Sequence, residues 1–391
     1  MKVDWQKQFL IVLLLCAALL LVQFRVFLNS VPAQLGAAGT SADPLINLSV
    51  NAAKFNAAAE FEFFPPIAER PLKANAVITL VTHSSNDSTA LDPYWQASLL
   101  HAFIFLHRNE TKFNQSDDIE YAVMIVPRIP AHFRTSLLQL GVRLIQVPPI
   151  SFADFPGLPN YTVHQPDMYV GMGSKHEYMY TKLQMWRLES FYKAILYHDS
   201  DLFYFNENPA AHMFDVLRSQ SAPFVNATLY NASRQNSSTL IYPKKDEARR
   251  PYFFAGVWDC NGHIYRSVNG GLFLFTPVAR HVEKMMAIAA KPPFNEFVEQ
   301  SLVSFYHDSI HELRLLDMKY NIMHGLLTLN FPQESIVGFH AKAWKEAPSF
   351  YTWRKRVLEM RNFLQIEMPE YQFIPPYVDE NLDNWRARMK Y

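Results

Sequence analysis

Two aspartates follow a short apolar run near the middle of the chain. Asp199 and Asp201 come after the strand-like residues 194–197, and a second apolar run, residues 202–205, follows them. Burying unpaired carboxylates is costly, so such a pair usually has a cation or several hydrogen-bond donors nearby. Mg²⁺ and Mn²⁺ prefer oxygen ligands and commonly link protein carboxylates to a substrate's phosphates. The pattern predicts a divalent metal site; a surface turn is the alternative, because Asp-Ser-Asp also suits turns.

A second polar group precedes an apolar run further along the chain. Asn269 and the paired glycines Gly270 and Gly271 open the apolar residues 272–275. Paired glycines allow a ligand to approach the backbone closely, and Asn269 offers an amide to a ligand's hydroxyl groups. Because Gly270 adds no side chain, we expect room there for a ligand of some size. A simple turn into a buried strand is the alternative.

Two more polar groups lie in the last third of the chain. Glu299 and Gln300 fall on a predicted helix, where adjacent polar residues usually form a solvated face. His340 ends a short predicted strand and is followed by Lys342 and Lys345. His340 could supply a nitrogen ligand to the ion, and a following lysine could meet phosphate charge.

Strand-like and helix-like segments alternate before the aspartates. The predicted strands are residues 76–82, 121–126, 143–147 and 194–197, and the predicted helices are residues 94–107, 131–140 and 178–192. This alternation predicts an α/β fold with a mostly parallel sheet flanked by helices. Ligands bind such sheets at the carboxyl ends of the strands, where Asp199 and Asp201 fall.

The composition limits the possible partners. The 391 residues carry 36 basic and 36 acidic side chains, so no net charge recruits nucleic acid, and we expect no nucleic-acid partner. Cys16 and Cys260 are the two cysteines, which excludes a framework of intrachain disulfides. A content of 49% apolar residues is sufficient for one large core or two smaller ones.

The N-terminal segment predicts a membrane anchor. Residues 9–22 are apolar without interruption, the hydrophobic stretch extends to residue 28, and Lys2 and Lys7 precede it. We therefore predict a single-pass type II signal-anchor over residues 9–28, with residues 1–8 in the cytosol and the remainder in the lumen of the Golgi or the ER. A cleavable signal peptide is the alternative.

Sequons and composition extend this interpretation. Eight Asn-x-Ser/Thr sequons agree with a secretory location. They begin at Asn47, Asn86, Asn109, Asn114, Asn160, Asn226, Asn231 and Asn236. Residues 29–75 are rich in Ala, Pro, Ser and Asn and predict a lumenal stem. The globular domain is predicted over residues 76–348 and a C-terminal helical tail over residues 349–391.

The order of these motifs resembles the glycogenin-like family 8 glycosyltransferases. The resemblance comprises a Thr-Leu-Val-Thr strand, Thr181-Lys182, Asp-x-Asp (the DXD motif), Asn-x-Gly, an acid-Gln pair and a late strand that ends in His, and runs from Ala76 to Lys345. It implies a GT-A fold with a Rossmann-like, mixed and mostly parallel sheet. It also implies a UDP-sugar or other nucleotide-sugar donor, Mn²⁺ or Mg²⁺ as cofactor, and retention of anomeric configuration. From the predicted lumenal position, we expect the acceptor to be a glycan, glycolipid or glycoprotein, and the chain could form a homodimer.

The resemblance also assigns roles to residues. Asp199, Asp201 and His340 match the metal ligands, with Ser200 between the two aspartates at the donor site. Lys182 matches a basic residue near the donor sugar and its phosphates, and either Lys342 or Lys345 matches the pyrophosphate contact. The sugar pocket is matched by Asn269, Gly270 and Gly271, the catalytic pair by Glu299 and Gln300, and the surroundings of the nucleotide base by Thr79, Thr82 and Tyr94. One departure is Glu299, where the family usually has aspartate.

Two routes of sugar transfer stay open from the sequence. A divalent ion and a lysine can stabilise the departing diphosphate, so an acceptor that attacks from the leaving-group face needs no strong base. A double displacement needs a nucleophile under the sugar, for which Glu299 and Gln300 are the candidates. Two other functions use the same residues: a catalytically inactive, membrane-tethered protein that binds nucleotide sugar or glycan, and a nucleotide-sugar hydrolase.

Overall fold

The structure is a computed structural model. It describes residues 61–82, 93–114, 116–150, 179–204, 208–225, 240–241, 252–259, 268–289, 298–323, 336–340 and 349–371. The chain divides into two units, residues 1–56 and 57–391, and every described residue lies in the second. The predicted anchor at residues 9–28, most of the predicted stem, Lys342 and Lys345 lie outside the described residues. Within the described ranges, no helix has both the length and the apolar composition that crossing a membrane requires.

Strands and helices alternate along the described chain. The strands are β1 Glu62–Phe64, β2 Asn75–Val81, β3 Ile119–Ile125, β4 Arg143–Gln146, β5 Ala194–His198, β6 Leu202–Tyr204, β7 Phe224–Val225, β8 Leu240–Ile241, β9 Phe254–Trp258, β10 Val268–Phe275, β11 Leu313–Leu316, β12 Ile322–Met323 and β13 Gly338–His340. The helices are α1 Pro93–Leu106, α2 Ala131–Gln139, α3 Ala210–Ser219, α4 Ala279–Ala289, α5 Val298–Ser309 and α6 Ser349–Glu367, with 3₁₀ segments at Met179–Ser190 and Met318–Tyr320.

The described strands build one large sheet in the order β1-β4-β3-β2-β5-β10-β9-β11-β7-β8. The four neighbours β4, β3, β2 and β5 are parallel. β10 runs antiparallel between β5 and β9, and β9 pairs in parallel with β11. Seven of these ten strands point the same way, and β1, β10 and β7 point the other way. The predicted mixed, mostly parallel α/β sheet is confirmed.

The sheet begins earlier than the sequence predicted. Residues 62–64 fall in the predicted stem, yet they form β1 and pair antiparallel with β4. The completely buried Arg143 of β4 donates to the carbonyls of Pro65 (2.8 Å) and Arg70 (2.6 Å) and pairs with Glu120 (3.2 Å). The composition of residues 29–75 is typical of a linker. Residues 62–64 are nevertheless ordered, because β4 pairs with them and the buried Arg143 guanidinium binds the carbonyls that follow.

A second, small sheet has the order β12-β13-β6. β6 begins directly after Asp201 and pairs antiparallel with β13, so that His340 lies opposite Leu202. Gly338 permits this pairing, because a Cβ there would collide with the carbonyl of Tyr320 and lie 3.3 Å from Leu202 Cδ1. The chain thereby brings a histidine from far along the sequence to the turn between the two aspartates.

The C-terminal helix packs on the body of the domain. Phe350, Trp353, Val357 and Met360 of α6 belong to the buried core. Beyond the helix, the Tyr371 hydroxyl donates to the carbonyl of Ser136 on α2 (3.0 Å). α6 is therefore part of the folded domain.

Candidate functional site

Asp199, Asp201 and His340 converge at the carboxyl end of β5. One ligand atom from each lies within 4.8 Å of the other two. His340 Nε2 is 3.2 Å from Asp201 Oδ1 and 3.9 Å from Asp199 Oδ2. Ligands at about 2.1 Å from an octahedral ion are about 3.0 Å apart when adjacent and about 4.2 Å apart when opposite. The spacing fits a divalent ion, and the predicted grouping of these three residues is confirmed.

The hydrogen bonds of His340 assign its tautomer. His340 Nδ1 lies 2.9 Å from Asn269 Oδ1, which also accepts from the backbone N–H of Gly271 (2.8 Å) and from Asn321 Nδ2 (2.9 Å). Facing an oxygen, Nδ1 carries a proton, so in the neutral ring the lone pair lies on Nε2, where a cation held by the two carboxylates would meet it. Histidines that bind metals usually donate their other N–H in this way. Burial lowers the pKa of His340, but the carboxylates of Asp201 and Asp199 raise it more, for a net increase.

The two carboxylate oxygens of Asp199 have different partners. Its Oδ1 accepts from the Tyr197 hydroxyl and lies 2.9 Å from Lys182 Nζ. Burial and the Asp199 charge raise the pKa of Tyr197 well above its ordinary value, so the phenol stays a neutral donor. Asp199 Oδ2 is the oxygen that faces His340. Tyr197 was not among the predicted site residues, although it precedes the DXD motif by only two positions.

Lys182 joins Asp199 to a buried glutamate. Its Nζ lies 2.7 Å from Glu299 Oε1 and 3.3 Å from the carbonyl of Gly270. Burial lowers the pKa of Lys182, but Asp199 and Glu299 outweigh it and raise it well above the ordinary value. Burial leaves the pKa of Glu299 above its ordinary value despite the opposing effect of Lys182. The ammonium of Lys182 thus has three protein acceptors beside the candidate metal site.

The pair Glu299 and Gln300 is not a solvated face. Glu299 is 1% exposed, which its ion pair with Lys182 explains. The Gln300 carbonyl accepts from the backbone N–H of Gly270 (2.7 Å), and its amide donates to Asp259 Oδ2. Asp259 was missed by the sequence analysis. The available signal was its position directly after a buried strand, β9, which resembles that of Asp199 after β5.

The two glycines lie inside β10 and leave space for the protein's own side chains. A Cβ on Gly271 would lie 2.5 Å from His340 Nδ1, and one on Gly270 would lie 3.1 Å from Glu299 Oε1. Glu299 and Gln300 border the space beside Gly270 in which room for a ligand was expected. Asn269 is buried and directs its carbonyl to His340, where an amide directed at a ligand was expected.

The three residues predicted around the nucleotide base lie in different surroundings. Thr79 is completely buried within β2, so its side chain does not reach the surface of the site. Thr82 accepts two hydrogen bonds from Arg128 through its backbone carbonyl (2.9 and 2.6 Å). Tyr94 is half-buried near the start of α1 and packs on the core. Ser200 is buried between the two aspartates.

Comparison with known proteins gives only distant similarities. No protein-family model matches the chain, and no curated protein matches it. Among solved structures, it is similar to the apo-form glycosyltransferase GlyE of Streptococcus pneumoniae TIGR4, with 14% identity, a TM-score of 0.43, and coverage of 76% of this chain and 64% of that one. The chain thus spans less than two thirds of GlyE. It is also similar to the galactosyltransferase LgtC, solved with donor and acceptor sugar analogs, with 12% identity, a TM-score of 0.44, and coverage of 80% and 100%.

A mammalian structure shows similarity of the same order. Mouse xyloside xylosyltransferase 1 in its apo form shares 13% identity at a TM-score of 0.36, with coverage of 68% of this chain and 97% of that one. At these TM-scores the similarities do not assign an activity to this chain.

Proposed function

We propose that this chain is a metal-dependent glycosyltransferase that moves a hexosyl-type sugar from a UDP-sugar to a glycan, glycolipid or glycoprotein. The observation that carries the proposal is the convergence of Asp199, Asp201 and His340 beside the buried Lys182–Glu299 pair. The motif order that resembles family 8 glycosyltransferases supports the same activity.

The charges of the site favour a divalent cation. The carboxylates of Asp199, Asp201 and Glu299 and the ammonium of Lys182 leave a net charge of −2, which one divalent ion neutralises. The three ligand side chains are 15–24% exposed, so one side of the site is open. An octahedral ion held by three protein ligands has positions left for waters and phosphate oxygens. When bound, the ion would stabilise the negative charge that develops on a departing nucleoside diphosphate.

The protein's own residues favour attack by the acceptor from the leaving-group face. A double displacement needs a carboxylate that can reach the anomeric carbon. Glu299 is buried, and the Lys182 ammonium holds its Oε1. Gln300 accepts from the Gly270 N–H and donates to Asp259. These two hydrogen bonds fix its side-chain amide, so we assign Gln300 a role in positioning and not in attack on the sugar. We therefore propose retention of configuration without a covalent intermediate.

We propose a site of action in the lumen of the Golgi or the ER. The support is the apolar run at residues 9–28 and the set of sequons. Two of those sequons, at Asn109 and Asn114, lie in the described residues, and both asparagines are exposed between α1 and β3. Glycan and glycoconjugate acceptors are the substrates expected in that compartment.

The proposal is tested with the full-length chain, since a truncation at residue 76 would remove β1 and the carbonyls that bind Arg143. The protein is made in a secretory host and screened with UDP-sugars, Mn²⁺ and glycan acceptors for UDP release and sugar transfer. We expect release from one donor, with loss of at least about a hundredfold in Asp199→Ala plus Asp201→Ala, because the ligand set for the ion is gone.

A matched control removes two exposed acids, Asp215 and Glu110, which are each 67% exposed, and should keep the activity. Donor binding without release would instead indicate a nucleotide-sugar binding protein. UDP release in which the sugar passes only to water would indicate a hydrolase.

A further inference from the structure

Asn321 lies outside every motif in the sequence analysis, yet it contacts the candidate metal centre through one intermediary. It follows the 3₁₀ segment Met318–Tyr320, directly before β12, and is 1% exposed. Its backbone N–H donates to the carbonyl of Met318 (3.0 Å), and its side-chain Nδ2 donates to Asn269 Oδ1 (2.9 Å). A buried amide at this position needs partners, and its Nδ2 finds one in Asn269, the residue that orients His340.

The orientation of the Asn269 amide follows from its neighbours. The backbone N–H of Gly271 is an obligatory donor and lies 2.8 Å from Asn269 Oδ1. A flipped amide would place its NH₂ against this N–H and against the Asn321 amide as well. Two N–H donors therefore fix the carbonyl toward His340 Nδ1, 2.9 Å away. The proton of a neutral His340 then sits on Nδ1, and Nε2 faces Asp201 and Asp199.

The arrangement links the two sheets. Asn269 belongs to β10 of the large sheet, and His340 belongs to β13 of the small one. β12 pairs in parallel with β13, with Ile322 opposite Phe339, so Asn321 precedes a strand that lies alongside the one bearing His340. Asn321 reaches from the small sheet to the large one and joins Asn269 there.

We infer that Asn321 is a positioning residue for the metal centre, acting through Asn269 to hold His340 in the tautomer that offers Nε2 to a divalent cation. This rests on the proposed function, because it assigns the cation to Asp199, Asp201 and His340. Without the Asn321 amide, one of the two donors that fix the Asn269 carbonyl is lost, so the acceptor of the His340 Nδ1 proton is held less firmly. Partners of this kind change metal affinity by about 10- to 100-fold.

The test measures Mn²⁺ binding directly, with Mn²⁺ alone and no sugar donor. The full-length wild type, Asn321→Ala, His340→Ala and Asp199→Ala are titrated with Mn²⁺ while free Mn²⁺ is followed by electron paramagnetic resonance. Ser136→Ala is the matched control, since Ser136 is a completely buried residue of α2 whose hydroxyl donates to Phe133 (2.8 Å). We expect Asn321→Ala to weaken Mn²⁺ binding about 10- to 100-fold and Ser136→Ala to bind like the wild type.

The outcomes separate this inference from the proposed function. If Mn²⁺ binding is lost in Asp199→Ala and His340→Ala but unchanged in Asn321→Ala, the role of Asn321 is refuted and the metal site stands. If the wild type binds no Mn²⁺, the metal-dependent function and this inference both fail.

A second measurement does not depend on how well the Asn321 variant folds. Nuclear magnetic resonance of the wild type with isotope-labelled histidine, at a mildly alkaline pH where the imidazole is neutral, reports the tautomer of each ring. The His340 signal is identified by its absence in His340→Ala. A proton on Nδ1 supports the inference, and a proton on Nε2 overturns it.

Discussion

At the residue scale, two of the candidate metal ligands, Asp199 and His340, each use one polar atom to contact the protein and direct another at the candidate site. Asp199 binds Tyr197 and Lys182 through Oδ1 and turns Oδ2 toward His340. His340 binds Asn269 through Nδ1 and turns Nε2 toward Asp201. Anchoring removes rotamer freedom before an ion arrives, so less ordering has to accompany binding.

Gly271 makes this arrangement possible and gives the prediction at this scale. In Gly271→Ala the new methyl would lie 2.5 Å from His340 Nδ1 and 2.9 Å from Asn269 Oδ1, so the imidazole must move. We expect Mn²⁺ affinity to fall at least about tenfold while the protein stays folded, as measured by titration and by thermal unfolding.

Gly270→Ala is the control for this prediction. Its methyl would lie 3.1 Å from Glu299 Oε1 and 3.3 Å from Gln300 Oε1, on the side of β10 away from His340. It should leave Mn²⁺ affinity near the wild-type value. Equal losses of Mn²⁺ affinity in the two variants would show that added bulk in β10, and not displacement of His340, is the cause.

At the scale of elements, the Lys182 ammonium connects four parts of the fold through its polar contacts. Lys182 lies on the 3₁₀ segment Met179–Ser190, and its Nζ meets Glu299 of α5, Asp199 after β5 and the carbonyl of Gly270 in β10. Removing one partner from a buried ion pair leaves a charge without compensation, which costs more than the pair itself contributes.

The prediction for these elements is a double-variant experiment on stability. Lys182→Met leaves Glu299 buried without its cation, and we expect a loss of about 3–5 kcal/mol in the free energy of unfolding, measured with urea. Lys182→Met combined with Glu299→Gln should recover most of that loss, because the buried charge is gone.

An exposed pair serves as the comparison. Arg218 and Asp215 of α3 are 60% and 67% exposed, and Arg218→Met should change stability by less than about 1 kcal/mol. If the double variant at Lys182 and Glu299 is no more stable than Lys182→Met alone, the uncompensated charge is not what destabilises the single variant.

At the scale of the whole molecule, aromatic and histidine side chains are buried together between α5 and β9. His307 of α5 is completely buried, stacks on Phe254 with ring centroids 3.7 Å apart, accepts from the Tyr252 hydroxyl (2.5 Å) and donates to the carbonyl of Val303 (2.7 Å). Burial lowers the pKa of His307 to about 3. The ring is therefore neutral in the folded protein across the physiological range.

The prediction at this scale is a loss of stability in acid that His307 causes in part. Below about pH 6.5 the unfolded chain protonates His307 and the folded chain does not, so the free energy of unfolding falls as the pH falls toward about 3. His307 alone should account for about 2 kcal/mol between pH 7 and pH 5.

In His307→Gln the side-chain NH₂ and carbonyl replace the donor and acceptor nitrogens of the ring, but the amide does not take up a proton in this pH range. We expect it to be less stable than the wild type at pH 7, yet to lose about 2 kcal/mol less on going to pH 5, as measured by urea unfolding at both values. The same loss in both proteins would exclude His307 as a source of the acid sensitivity.

The sequence by itself determined those strands and helices whose hydrophobic pattern lies entirely within the segment. The apolar runs of β2, β3, β4 and β5 and the intervening helices α1 and α2 were predicted within one or two residues, because their periodicity lies within each segment. The position of Asp199 and Asp201 at the end of a buried strand followed in the same way. The grouping with His340 came from the family resemblance in motif order, since no local pattern links residues so far apart.

Only the tertiary structure decided which distant residues meet. Lys182 and Glu299 are 117 positions apart, and Asn269 and Asn321 are 52 apart, so neither contact leaves a periodic signal in the sequence. The same reason explains β1: its three residues become a strand because β4 offers a free edge and Arg143 needs carbonyl acceptors. Local hydrophobic pattern fixes an element, whereas a polar side chain acquires its role from the partner that folding brings to it.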